Sequence, residues 1–193
     1  MIHRISANHP KFRSVNLEAD FNVILADAAI SSDEKDSRNG LGKSSLLEII
    51  HFCLGANLKS GVGIGKNELN DWTFSMEFSL GKEKITVHRN TSSSSHIYVE
   101  GISQTFGVSS KLNDETNEEY FTQKDWQTIL GKGMFGLTLN EVNEKYSPTF
   151  RMLIPYFTRR GNDAFLGPFE YFKNQKSWQK QVANSYLLGL SWE

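Results

Sequence analysis

The sequence predicts an α/β fold with a mixed sheet, and three observations predict it. Residues 21–26, Phe-Asn-Val-Ile-Leu-Ala, form an apolar run suited to a buried strand. Residues 45–54 carry Leu46, Leu47, Ile49, Ile50, Phe52, Cys53 and Leu54 nearly all round a helical cylinder, which calls for a helix buried under a sheet. Residues 72–80 alternate strictly between apolar and polar, the pattern of a strand with one covered face. The expected arrangement puts residues 21–26 near the sheet centre, the helix packed on them, and an antiparallel meander over 72–100 at the flank.

Each element has its own justification. Residues 2–6 and 12–17 read as short strands separated by His9-Pro10. Gly55 ends the helix that follows residue 44. The glycine cluster Gly61-Val62-Gly63-Ile64-Gly65-Lys66 imitates a phosphate loop, but Asn67 stands where a hydroxyl is needed and no strand precedes it, so it reads as a flexible turn. Gly81-Lys82 turns the chain into a strand over 83–89, and residues 91–95 turn it into another over 96–100. Residues 113–119 form an acidic, polar connector. Thr122 caps a helix through Trp126, Ile129 and Leu130 that Gly131-Lys132-Gly133 stops. Ser147-Pro148 opens a helix over 150–157 with proline at its first position. Trp178, Val182, Tyr186 and Leu190 recur every fourth residue and mark an amphipathic helix over 174–190. The whole reads as a single lobe, with a core over 1–57, the meander over 70–104 and a helical part over 120–193.

The chemistry concentrates at Ser37-Arg38-Asn39-Gly40-Leu41-Gly42-Lys43-Ser44-Ser45, between the 21–26 run and the apolar helix. A nucleoside triphosphate needs a ring of backbone N–H donors, a lysine reaching its outer phosphates and a hydroxyl for its magnesium ion. Gly40 and Gly42 let the backbone curl close where a Cβ would intrude. Lys43 brings the charge, Ser44 brings the Mg²⁺ ligand, and the helix behind them directs its positive dipole end at the same anion. One position departs from Gly-x-x-x-x-Gly-Lys-Ser/Thr: Ser37 stands at the first glycine. The polar residues 27–37 form an insertion between strand and loop, either a solvated surface loop or a flap over the site.

Composition bounds the rest. A chain of 193 residues with net charge −1 has no global basic field to recruit nucleic acid, so such a contact must be a local patch. The single cysteine, Cys53, has no intrachain partner for a disulfide, which suits a reducing cytoplasm. No apolar run approaches a membrane span, and a cytoplasmic protein is expected. The five histidines are scattered, and no metal-ligand spacing or catalytic triad pattern occurs. No apolar strand after the loop ends in Asp or Asp-Glu, the usual second half of a nucleoside-triphosphatase site.

A resemblance accounts for that missing half. Phe12-Arg13-Ser14, then Phe21-Asn22-Val23-Ile24-Leu25, then Asn39-Gly40-Leu41-Gly42-Lys43-Ser44-Ser45-Leu46-Leu47-Glu48-Ile49-Ile50 resemble the N-terminal lobe of SMC-like ABC ATPases of the SbcC, RecF and RecN type. The chain is most similar to a bacterial branch, the ATPase component of ABC three-component systems linked to phage defence. In that branch an insertion also separates the strand from Ser-Arg-Asn-Gly-Leu-Gly-Lys-Ser. Gln179-Lys180-Gln181-Val182-Ala183-Asn184 and Leu187-Leu188-Gly189-Leu190 resemble it too, while residues 58–143 match only in general layout.

The resemblance implies a P-loop, SMC-head-like lobe binding ATP and Mg²⁺. Arg38, Asn39, Gly40, Leu41, Gly42, Lys43, Ser44 and Ser45 would form the loop, with Ser44 as the metal ligand. Arg13 and Ser14 match an Arg-Ser pair near the nucleotide. It also implies that the remaining motifs sit on a C-terminal lobe, of the same or a partner chain, beyond a coiled coil. Hydrolysis would need that lobe and a dimer, with DNA engaged through the parent assembly. The family's glutamine loop has no counterpart glutamine: Phe157-Thr158-Arg159-Arg160-Gly161 stands roughly at its place. A free-standing P-loop NTPase or nucleotide kinase, and a nucleotide sensor that never hydrolyses, remain as alternatives.

Overall fold

The computed structural model describes residues 1–25, 43–138 and 146–192. Its centre is a seven-stranded sheet. In chain order the elements are β1 (Ile2–Ala7), β2 (Val15–Asn16), α1 (Lys43–Cys53), β3 (Thr73–Leu80), β4 (Glu83–Asn90), β5 (His96–Glu100), β6 (Lys111–Leu112), β7 (Glu119–Thr122), α2 (Gln123–Phe135), α3 (Phe150–Leu153) and α4 (Ser177–Leu187). The strands lie in the order β2-β1-β3-β4-β5-β7-β6. Every strand pairing is antiparallel, so the fold is α/β in content with an antiparallel rather than mixed sheet.

The predicted meander is present in register, with Met76 opposite Val87 and Val87 opposite Val99. Its alternation decides which side is covered. Phe74, Met76, Phe78 and Leu80 of β3 and Ile85 and Val87 of β4 are buried. They pack with Ile49, Ile50, Phe52 and Cys53 of α1 and with Trp126, Ile129 and Leu130 of α2 in one core. The opposite face carries polar pairs, such as Lys84 Nζ 2.9 Å from Glu77 Oε1 and the Ser75 hydroxyl 2.7 Å from His88 Nδ1. A smaller cluster joins Leu137, Met152, Leu153, Val182 and Ala183 between α3 and α4.

The strand expected at 21–26 does not form over its described part. Residues 21–25 pair with no strand, and Phe21 and Leu25 are 90% and 81% exposed. The reason lies upstream. Asn22 Nδ2 donates to the carbonyls of Glu18 and Asp20, and Asn22 Oδ1 accepts from the Glu18 N–H at 2.9 Å. This side-chain turn competes with the ladder. Both edges of β1 are already taken, by β2 and by β3. Strand 12–17 also shrinks to Val15–Asn16, because Phe12 N–H closes a turn onto His9 O.

Helix boundaries move for packing reasons. Thr122 does cap α2, accepting from the Asp125 N–H, but the helix runs through Gly131 and Gly133 to Phe135 and stops at Gly136, whose φ is +71°. The two interior glycines are places of close approach. A Cβ on Gly133 would lie 2.7 Å from Leu80 Cδ1, and one on Gly131 would lie 3.0 Å from Leu137 Cδ1. The helix expected to open at Ser147-Pro148 instead starts at Phe150, capped by Thr149, and tightens after one turn into a 3-10 segment, Ile154–Tyr156. Pro155 has no N–H to continue an α-helical ladder. The last helix is Ser177–Leu187, which leaves Leu190 outside it and 60% exposed.

Candidate functional site

The N-terminal end of α1 borders a cavity of about 470 Å³. Arg13, Lys43 and Ser45 line it together, with Lys11 beside them and a floor of Ile64, Trp72 and Phe74. Residues thirty positions apart in the chain therefore meet here, and a local device brings each one in. The turn closed by the Phe12 N–H on His9 O redirects the chain after β1, so Lys11, Phe12 and Arg13 face the cavity rather than continue a strand. The His9 ring stacks on Trp72 at 4.2 Å between centroids and 11° between planes, which fixes that turn against the start of β3. Lys43 and Ser45 lie in the exposed first turn of α1.

The other expected site residues fall differently. Ser44 stands in the same exposed turn of α1. Ser14 is not among the lining residues, and its hydroxyl accepts from Arg4 Nη2 at 3.4 Å. Arg38, Asn39, Gly40, Leu41 and Gly42, and the 27–37 insertion, lie outside the described residues. Ile24 and Leu25, expected in the sheet, line the cavity instead. Lys11 and Trp72 were not singled out in the sequence, although Lys11 directly precedes the Phe12-Arg13 pair.

The second glycine cluster, read as a flexible turn, is a defined structure tied to α1. Glu48, one turn after Ser44, accepts a hydrogen bond from the Ile64 N–H at 3.1 Å. Gly63 has φ +56°, and a Cβ there would overlap the Glu48 carboxylate. Successive backbone N–H groups in such a turn favour an anion, and here the anion is the protein's own. Ile64 is thereby held as part of the cavity floor.

At the opposite end of α1 the orphan carbonyls are met by side chains. Arg89 donates to Phe52 O and Ala56 O at 2.6 and 2.7 Å. Trp126 Nε1 donates to Cys53 O at 2.9 Å, and Gln127 and Gln123 both donate to Gly55 O. Burial lowers the pKa of Arg89 to about 10, so it stays cationic at neutral pH, beside the negative end of the helix dipole. Burial pushes the Cys53 thiol up to about 12, which makes it inert.

The 157–161 turn also belongs to this end. His51 Nε2 is 2.8 Å from Thr158 O, and His51 lies seven residues, roughly 10 Å of helix rise, beyond Ser44. Arg159 is a structural clamp, donating to the carbonyls of Tyr156, Ala164, Gly167 and Pro168.

Among the described residues no group of three or more His, Cys, Asp or Glu side chains surrounds a metal site, and no helix is long and apolar enough to cross a membrane. Set against protein-family models, curated proteins and solved structures, the chain matches none.

Proposed function

We propose that the cavity at the start of α1 binds Mg-ATP, and that the chain is the nucleotide-binding half of an SMC-like ABC ATPase. The observation that carries this reading is the meeting of Arg13, Lys43 and Ser45 in the lining of one cavity. Two cations from separate elements suit a polyphosphate, and the apolar floor at Ile64, Trp72 and Phe74 suits a base or sugar face. Ser44, the expected magnesium ligand, stands between Lys43 and Ser45 without lining the cavity itself; one protein hydroxyl would suffice there, because this ion keeps waters and takes most other ligands from the phosphates. Activation of water would fall to a carboxylate on a C-terminal lobe, of the same or a partner chain, and the parent assembly would couple hydrolysis to DNA transactions or phage defence.

Calorimetry tests this directly. Mg-ATP should bind the 193-residue chain, and Lys43→Ala should remove the binding. Turnover should stay far below the roughly one per second of complete enzymes. Rapid turnover by this chain alone would instead favour a free-standing P-loop enzyme.

A further inference from the structure

A second cleft, of about 570 Å³, opens beside the segment that follows the C-terminal end of α1 and shares no lining residue with the first. Gly55 and Asn57 from the segment after α1 form one wall, Gln123, Lys124 and Gln127 of α2 form another, and Arg151 of α3 closes it. The Gln123 amide is occupied, donating to Gly55 O at 3.0 Å and to Asn57 Oδ1 at 2.6 Å and accepting from Arg89 Nη2, whereas that of Gln127 is partly used, donating to Gly55 O at 2.6 Å. The two cations are not. Among the described residues Arg151 makes a single hydrogen bond, to Leu54 O at 3.5 Å, which leaves most of its five donors unused there. Among the described residues no ion pair or hydrogen bond engages the Lys124 ammonium. Asp125, the acid on the same helical turn, is already held by the Thr122 hydroxyl.

The surroundings add positive charge rather than cancel it. Arg160 is close enough to Arg151 and to His51 to depress both their pKa values, and it has no carboxylate partner among the described residues. Burial, followed by the Arg160 charge, lowers Arg151 to about 10, so it remains a cation at neutral pH. A half-buried guanidinium facing a polar cleft with no acid opposite is an unfavourable arrangement in the free protein. An oxyanion in the cleft relieves it, and the planar fork of Arg151 with the compact Lys124 charge suits phosphate oxygens.

We propose that the cleft between Gly55, Lys124, Gln127 and Arg151 is a phosphate-binding site, separate from the cavity at the start of α1. The phosphate is either free in solution or part of a nucleic-acid backbone, and the test distinguishes the two. Inorganic phosphate is titrated into the full chain at constant ionic strength, following the Arg151 Nε–H and the backbone amides of Lys124 and Gln127 by nuclear magnetic resonance. Saturable shifts at these groups are expected. Lys124→Gln, an exposed change that leaves the core intact, should weaken them about tenfold, the loss of one charge-assisted contact. Arg151→Gln should abolish them. A short DNA duplex that displaces phosphate from these signals assigns the site to a phosphodiester backbone; a duplex that leaves it in place assigns it to free phosphate. No saturable shift, shifts insensitive to Lys124→Gln, or shifts confined to Lys43 and Arg13 would each overturn the proposal.

Discussion

The guanidinium of Arg89 lies 4.2 Å over the ring of Phe52 and donates to the carbonyl of that same residue at 2.6 Å. One side chain of β4 thus holds the last turn of α1 on the sheet by face and by hydrogen bond. It also donates to Ala56 O and Ser94 O, yet it is 1% exposed and pairs with no carboxylate among the described residues. Removing it leaves buried carbonyls without donors. Arg89→Met should therefore lower the unfolding free energy by about 3 kcal/mol. Arg89→Lys should rescue little of that loss, because an ammonium cannot span carbonyls in three directions. Urea denaturation of both variants measures it; a fully stable Arg89→Lys protein would show that charge alone suffices.

His51 makes stability depend on pH. Its pKa falls from 6.5 to about 4, first through burial and then through the charges of Arg151 and Arg160. A base with a lowered folded-state pKa binds fewer protons folded than unfolded between those two values, so stability rises with pH across that window. The unfolding free energy should then fall as pH drops from 6.5 towards 4, by an amount on the order of 3 kcal/mol. His51→Gln, which keeps a donor for Thr158 O, should flatten that part of the curve. An unchanged slope in the variant would assign the acid sensitivity to other groups.

Gly133 inverts an ordinary helix rule. In an exposed helix interior, Gly→Ala stabilises by about 1 kcal/mol. Here the added methyl would meet Leu80 Cδ1 at 2.7 Å, and Leu80 is buried. Gly133→Ala should destabilise by about 1–2 kcal/mol instead. Adding Leu80→Val, which shortens the facing side chain, should recover part of the loss in thermal unfolding. A stabilised single variant would show that Leu80 moves aside freely.

Arg13 is the sharpest test of the proposed nucleotide site outside the loop. It lines the same cavity as Lys43. Arg13→Ala should weaken Mg-ATP binding by roughly tenfold, as the loss of one charge-assisted contact implies, while the melting temperature without nucleotide stays nearly constant. Equal affinities for the two proteins would return Arg13 to the ordinary surface.

The sequence by itself determined the local elements whose periodicity met a matching environment. The alternation over 72–80 placed β3 and fixed which of its residues face the core, and the turn at Gly81-Lys82 placed β4 after it. The apolar cylinder after Lys43 gave α1, and Thr122 gave the start of α2. At the site, the sequence singled out Arg13, Lys43 and Ser45 individually, by motif and by resemblance. Only the tertiary structure decided the rest, because those outcomes depend on contacts that no local pattern encodes. Residues 21–25 are as apolar as a central strand, but a central strand needs a free edge inside the sheet, and both edges of β1 are occupied while the Asn22 turn holds the segment out of the ladder. Gly131 and Gly133 look like helix stops until Leu137 and Leu80 are seen pressed against them. Arg13 and Lys43 share a cavity because a turn at His9 bends one toward the other, and chain separation gives no hint of that approach.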